Sequence, residues 1–92
     1  MDTIGDVVKK SVEQSFVNHN LDREKFSEDI TCYNETGTKC AVVLDNMDSM
    51  DKQFVIIGLQ PNLDGEWLET GFVHSSNVDG IDAMSQADSF LS

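Results

Sequence analysis

The sequence predicts an α+β protein: a four-stranded antiparallel β-sheet meander with an N-terminal amphipathic helix and a short C-terminal helix, in a single domain covering residues 1–92. Three observations predict it. Near the N-terminus apolar residues recur every four positions, as Ile4, Val8, Val12 and Phe16, which is a helical period. Between residues 30 and 74, runs rich in Val, Ile, Phe and Trp are separated by polar turns carrying Gly or Pro, the pattern of successive strands. The turns are short, so neighbouring strands run antiparallel, and at least one helix must cover the apolar face of the sheet.

The first helix is expected over 3–18. Thr3 and Asp6 have capping-box spacing, Val7 sits beside the apolar stripe, and Asn18-His19-Asn20 is a plausible stop. Gly5 and the valines lower intrinsic helicity, so the helix must lean on a partner surface. Residues 21–29 are ambiguous, because Asp22-Arg23-Glu24-Lys25 fits either a helical turn or a loop. From about Glu28, Ile30 and Cys32 alternate with Thr31 and Tyr33, a strand pattern. The second strand, Cys40–Leu44, is continuously apolar and therefore central or covered on both faces. A polar connection, 45–51, leads to a third strand at Gln53–Leu59. Pro61-Asn62-Leu63-Asp64-Gly65 is a turn by its chemistry. Alternation along the fourth strand, Glu66–His74, puts Trp67, Glu69, Gly71 and Val73 on one face and Glu66, Leu68, Thr70, Phe72 and His74 on the other. A final helix over 79–91 turns Ile81, Met84, Ala87 and Leu91 inward, with Asp88 and the chain end placing negative charge where cations are favoured.

No apolar stretch approaches the ~20 residues of a membrane span. The acidic start, Met1-Asp2-Thr3-Ile4-Gly5-Asp6, has no apolar signal segment. The expectation is a cytoplasmic protein with no membrane partner. Two cysteines are too few for a disulfide scaffold, so Cys32 and Cys40 are expected as free thiols. A three-residue loop, Glu35-Thr36-Gly37, would set Cys32 opposite Cys40.

Motifs for chemistry are missing. Asp45, Asp48 and Asp51 lack the alternate oxygen ligands and the glycine of a calcium loop, so a solvated acidic loop is the expected reading. Cys32, Cys40, His19 and His74 lack zinc-finger spacing. There is no Gly-x-Ser-x-Gly elbow, no phosphate loop, and no cysteine beside a base. The expectation is a protein that is not an enzyme and needs no cofactor or metal.

Charge is the informative property. Seventeen acidic residues face six basic ones, giving a net charge of −11, and the last forty residues contain no Lys or Arg. Direct binding to DNA or RNA is disfavoured, because phosphate affinity comes from Lys and Arg. The excess exceeds the magnitude of about 2–8 that solubility asks of a small domain. A compact chain of this length spans about 30 Å, along which B-DNA places roughly 18 phosphates. The expected partner is therefore a basic nucleic-acid-binding protein or ribonucleoprotein complex. Two contact clusters are proposed. The first is Asp64, Glu66 and Glu69 around Trp67, with no basic residue near them in sequence. Trp67 there is either an interface anchor or a core residue. The second is Asp45, Asp48 and Asp51.

In size, acidity and layout, with the Lys/Arg-free tail from Gln53 to Ser92 and the acidic turns Asp45–Asp51 and Asp64–Glu69, the chain resembles small phage-encoded inhibitors of bacterial defence, the anti-CRISPR proteins. The resemblance implies occupation of a nucleic-acid-binding surface of a CRISPR effector in the bacterial host cell. An immunity or antitoxin protein against a basic nuclease, or a non-catalytic accessory subunit, would share the same charge.

Overall fold

The computed structural model describes residues 4–46, 53–76 and 80–92. Along the chain lie α1 (Ile4–Asn18), a 3₁₀ turn (Arg23–Lys25), β1 (Ser27–Tyr33), β2 (Cys40–Asn46), β3 (Gln53–Pro61), β4 (Trp67–Ser76) and α2 (Gly80–Leu91). The four strands form one sheet in the order β1-β2-β3-β4, each neighbouring pair antiparallel. This is the expected α+β meander. Thr3 and Asp79, assigned to helix starts from the sequence, lie outside the described residues.

The two helices cover opposite faces. Side chains alternate along a strand, so β2 and β3 each contribute to two cores. Val42, Leu44, Val55, Ile57 and Leu59 pack with Val8, Val12 and Phe16 of α1. Ala41, Val43, Phe54 and Ile56 pack with Ala83 and Ala87 of α2. The continuous apolar runs of the two central strands are the consequence, as in sheets buried on both faces.

Local chemistry sets the element ends. Asn20 takes a left-handed φ of 57°. Leu21 N–H then reaches back to the Phe16 carbonyl at 2.9 Å, and Asn20 N–H to that of Val17 at 3.2 Å, closing α1 as a Schellman-type cap. Residues 21–29 resolve into the 3₁₀ turn, where Asp22 accepts from Glu24 N–H at 3.1 Å, followed by the start of β1. Lys39 donates from Nζ to the Ser92 carbonyl, so the cation missing from the sequence of α2 comes from the β1–β2 hairpin.

Two expectations are corrected, and one question the sequence leaves open is decided. First, the open question: Cys32 does not face Cys40. Asn34 N–H bonds the Lys39 carbonyl at 3.1 Å, and Asn34 Oδ1 accepts from Thr38 and Lys39 N–H at 2.8 and 3.1 Å. This wrap leaves an even number of loop residues instead of three. The register becomes Tyr33 opposite Cys40 and Cys32 opposite Ala41, and a one-residue shift moves a side chain to the other face. Second, β4 does not alternate strictly. Leu59 pairs with Glu69 but Gly58 pairs with Gly71, so Thr70 is the extra residue of a bulge. Trp67, Glu69, Phe72 and His74 all share the α1 face. Third, Ile81 is 78% exposed and Ala83 is buried in its place, while Ala87 is buried and Met84 and Leu91 pack against the core as expected. The reason is closeness: a Cβ built on Gly71 would lie 2.2 Å from Phe90 Cε1, and one on Gly58 2.8 Å from Phe90 Cδ1. Phe90 therefore lies on a platform of two paired glycines, beside Ala41, Val43, Phe54 and Ile56.

Candidate functional site

The β3–β4 hairpin is built by Asn62. Its Oδ1 accepts from Asp64 N–H at 3.0 Å and Glu66 N–H at 2.9 Å. Its own N–H bonds the Glu66 carbonyl at 2.7 Å, and Gly65, at φ 83°, donates to the Asn62 carbonyl at 3.2 Å. This folded tip turns Asp64 and Glu66 outward and leaves Leu63 fully exposed at its apex. In a meander the first and third connections emerge at the same end of the sheet, so exposed Glu35 of the β1–β2 hairpin is at this end too.

Trp67 is not available as an interface anchor. It is 7% exposed and belongs to the α1 core. Its ring reaches across the sheet to Tyr33, with centroids 5.9 Å apart in an edge-on arrangement, and its carbonyl accepts from Ser11 Oγ at 2.5 Å. Those contacts join β1, β4 and α1, a structural duty that takes the indole out of solvent.

The neighbourhood of the tip is not free of cations. A groove of about 520 Å³ between α1 and β4 is lined by Lys10 and Gln14 as well as by Asp64, Glu66 and Glu69. Glu69 is engaged by His19, whose Nε2 lies 3.1 and 3.2 Å from the two carboxylate oxygens. The imidazole is stacked on Phe72, with centroids 3.8 Å apart and planes 9° from parallel. The Thr70 bulge makes this arrangement, since it brings Glu69 and Phe72 to one face. Sequence spacing hides it, because His19 and Glu69 are fifty residues apart.

The second cluster divides. Asp45 belongs to β2, is half-buried, and pairs with Phe54 on the α2 face. It sits at the end of the sheet opposite the Asp64 tip. Asp48 and Asp51 lie outside the described residues. Of the seven acidic and aromatic residues singled out from the sequence, the five that are described are thus not one surface. Asp64 and Glu66 form the exposed pair, with Glu69 beside them in an ion-pair geometry. Leu63 was missed, although its position inside Pro-Asn-Leu-Asp-Gly was a signal, since a turn apex cannot bury an apolar side chain.

Cys40 is buried, and that burial, with Cys32 and Glu28 as lesser causes, pushes its thiol up to about 11. Burial likewise raises the Tyr33 hydroxyl, with Cys40 and Glu28 adding to the effect. A thiol held protonated is a poor nucleophile and a poor metal ligand. Among the described residues no three His, Cys, Asp or Glu side chains converge as a metal site would require, and no helix is long and apolar enough to cross a membrane. Comparison with known proteins found no family model, no curated protein and no solved structure that matches this chain.

Proposed function

We propose that this protein is a non-catalytic acidic inhibitor that seats on a basic nucleic-acid-binding surface of a partner protein or ribonucleoprotein and blocks access of nucleic acid. In this it would resemble the phage-encoded anti-CRISPR proteins, acting in the cytoplasm of a bacterial host. The observation that carries the reading is the net charge of −11, which remains after every cation of the chain is counted. The longest dimension of the molecule is 40 Å. B-DNA places about 24 phosphates along that length at one per ~1.7 Å, so the protein offers close to half the charge of the duplex it would displace. The contact element of this reading is the hairpin tip, with Leu63 as the apolar contact and Asp64 and Glu66 steering the approach of a basic surface.

The test begins with capture from a bacterial lysate at low salt and identification of the retained protein by mass spectrometry. The purified partner is then assayed with the inhibitor and with nucleic acid. The expected result is mutually exclusive binding, weakened by salt, with Asp64→Lys/Glu66→Lys slowing association several-fold, most at low ionic strength. A partner that holds nucleic acid and this protein together, or binding indifferent to both salt and charge reversal, overturns the reading. A nuclease toxin as the retained protein would make the chain an immunity protein instead. The protein alone is expected to leave single- and double-stranded DNA unshifted in a mobility assay at low salt; a clear shift at micromolar protein contradicts the reading.

A further inference from the structure

Two dipeptides of this chain are Asp-Gly, Asp64-Gly65 and Asp79-Gly80, and no Asn precedes a glycine. An aspartyl carboxyl can condense with the backbone nitrogen of the next residue, closing a cyclic imide. The attack needs a nitrogen open to approach and a backbone able to turn. Glycine meets both needs, since it has no Cβ to crowd the ring and takes either sign of φ. The other described aspartates fail them. Asp6 precedes β-branched Val7 inside α1, Asp82 and Asp88 lie inside α2, and Asp29 and Asp45 lie in β1 and β2. Regular structure holds the backbone at each. Asp22 caps the 3₁₀ turn ahead of the bulky Arg23.

Asp64-Gly65 escapes those constraints. It falls in the hairpin tip, beyond Pro61 and Trp67, the pair that ends the β3–β4 ladder. Both residues are exposed, and loop tips are where a chain tolerates change. Asp64 enters the turn through its backbone N–H, which donates to Asn62 Oδ1 at 3.0 Å. Gly65 sits at φ 83°, and a Cβ built on it would meet nothing within 4 Å, so the space beside it is open. Its N–H donates to the Asn62 carbonyl at 3.2 Å, the long end of the ordinary range. The bond that must open before the nitrogen can attack is therefore a weak one. Gly80, by contrast, is the first residue of α2, where the helix sets its φ.

We propose that Asp64 is a self-modification site of the folded protein, converting to isoaspartate through a cyclic imide with Gly65. The Gly65 nitrogen attacks Asp64 Cγ. A C–N bond forms, the Cγ–OH bond breaks, and the N–H proton leaves with that hydroxyl as water. Water then adds back at either imide carbonyl. Opening at Cγ restores aspartate. Opening at the main-chain carbonyl routes the backbone through Cβ and Cγ and leaves the former main-chain carbonyl as the carboxylate. No electrons change hands, and both the mass and the net charge of −11 are kept. The tip is what changes. Its main chain gains an atom between Asp64 and Gly65, which carries the N–H groups of Gly65 and Glu66 out of register with the Asn62 oxygens they bond. The reaction needs no partner, so its outcome is separate from that of the inhibitor reading.

The test is incubation of the full chain in neutral buffer at physiological temperature, sampled over weeks, beside the same chain in urea. Chymotrypsin, which cuts after Trp67, separates the two Asp-Gly dipeptides, and each peptide is followed by liquid chromatography and mass spectrometry. The urea sample gives the rate of each dipeptide without structure. In the folded sample the Asp64 peptide is expected to gain a second peak of identical mass, resistant at residue 64 to a protease that cuts before aspartate. Relative to the rates in urea, Asp64 is expected to convert ahead of Asp79. Asp64→Glu, whose ring would be larger, is expected to show no second peak at this position. Asp64→Asn, where ammonia leaves in place of water, is expected to convert faster and with a gain in mass. Circular dichroism checks that both variants are folded. An Asp64 that stays unmodified in the folded chain, or an Asp79 that converts ahead of it there, overturns the proposal.

Discussion

Toward α1 the sheet presents Leu44, Ile57 and Leu59, and the helix answers with Val8, Val12 and Phe16, with Phe26 and Trp67 filling the sides. Toward α2 it presents Val43, Phe54 and Ile56 together with Ala41 and the paired glycines Gly58 and Gly71, and the helix answers with Ala83, Ala87 and the ring of Phe90. The first layer is closed by volume and the second by closeness. A layer filled by large rings is damaged when atoms are removed. A layer where a ring lies on bare backbone is damaged when atoms are added. The same two central strands serve both.

The largest effect should come from taking volume out of the α1 layer. Phe16 is fully buried, with its ring 5.4 Å from that of Phe26 and 6.4 Å from that of Phe72. Phe16→Ala is expected to cost about 3–5 kcal/mol, read as a lowered urea midpoint at unchanged slope. A loss below about 1 kcal/mol would mean that this layer collapses around the cavity and that the contrast with α2 is false.

Adding volume to the α2 layer comes next. Gly71→Ala places a methyl against Phe90 and is expected to cost about 1–3 kcal/mol. In a Phe90→Ala background most of that cost should vanish, giving a strongly non-additive double-mutant cycle. An additive cycle would show that the ring is not what makes the glycine necessary.

A smaller effect separates the helices by polar contact. Ser11 Oγ lies 2.5 Å from the Trp67 carbonyl and 3.2 Å from that of Val7, so one hydroxyl joins α1 to the start of β4. Ser11→Ala is expected to cost about 0.5–1.5 kcal/mol, with faster amide exchange at the start of β4 as the local readout. Unchanged exchange there would mean that Trp67 is held by packing alone.

The last effect vanishes at neutral pH. Cys40 has its thiol raised from an ordinary value near 9.0 to about 11 by burial. Above pH 9 the unfolded chain loses this proton while the folded chain keeps it, so stability should fall between about pH 9 and pH 11. The raised Tyr33 hydroxyl acts in the same direction from pH 10.0 upward. Cys40→Ala should flatten the alkaline limb in urea titrations. In the folded protein, alkylation should reach half-buried Cys32 before Cys40; the reverse order would place Cys40 outside the core.

The sequence by itself determined the element order and the meander, because apolar periodicity and turn chemistry are local. It also determined that β2 is central or covered on both faces, since the continuous run Cys40–Leu44 has no polar face to give to water. The −11 charge was equally legible, as charge is counted rather than folded. Sides and registers were decided by the tertiary structure. Whether Cys32 meets Cys40 depends on how Asn34 wraps the loop, and whether Glu69 shares a face with Phe72 depends on the Thr70 bulge. Each turns on one residue of register, and a period of two makes one residue the whole difference between faces. The burial of Trp67, the placement of Lys10 and His19 beside the acidic tip, and the glycine platform under Phe90 come from segments far apart in the chain. No local pattern records them, because they are properties of the layers and not of any one strand or helix.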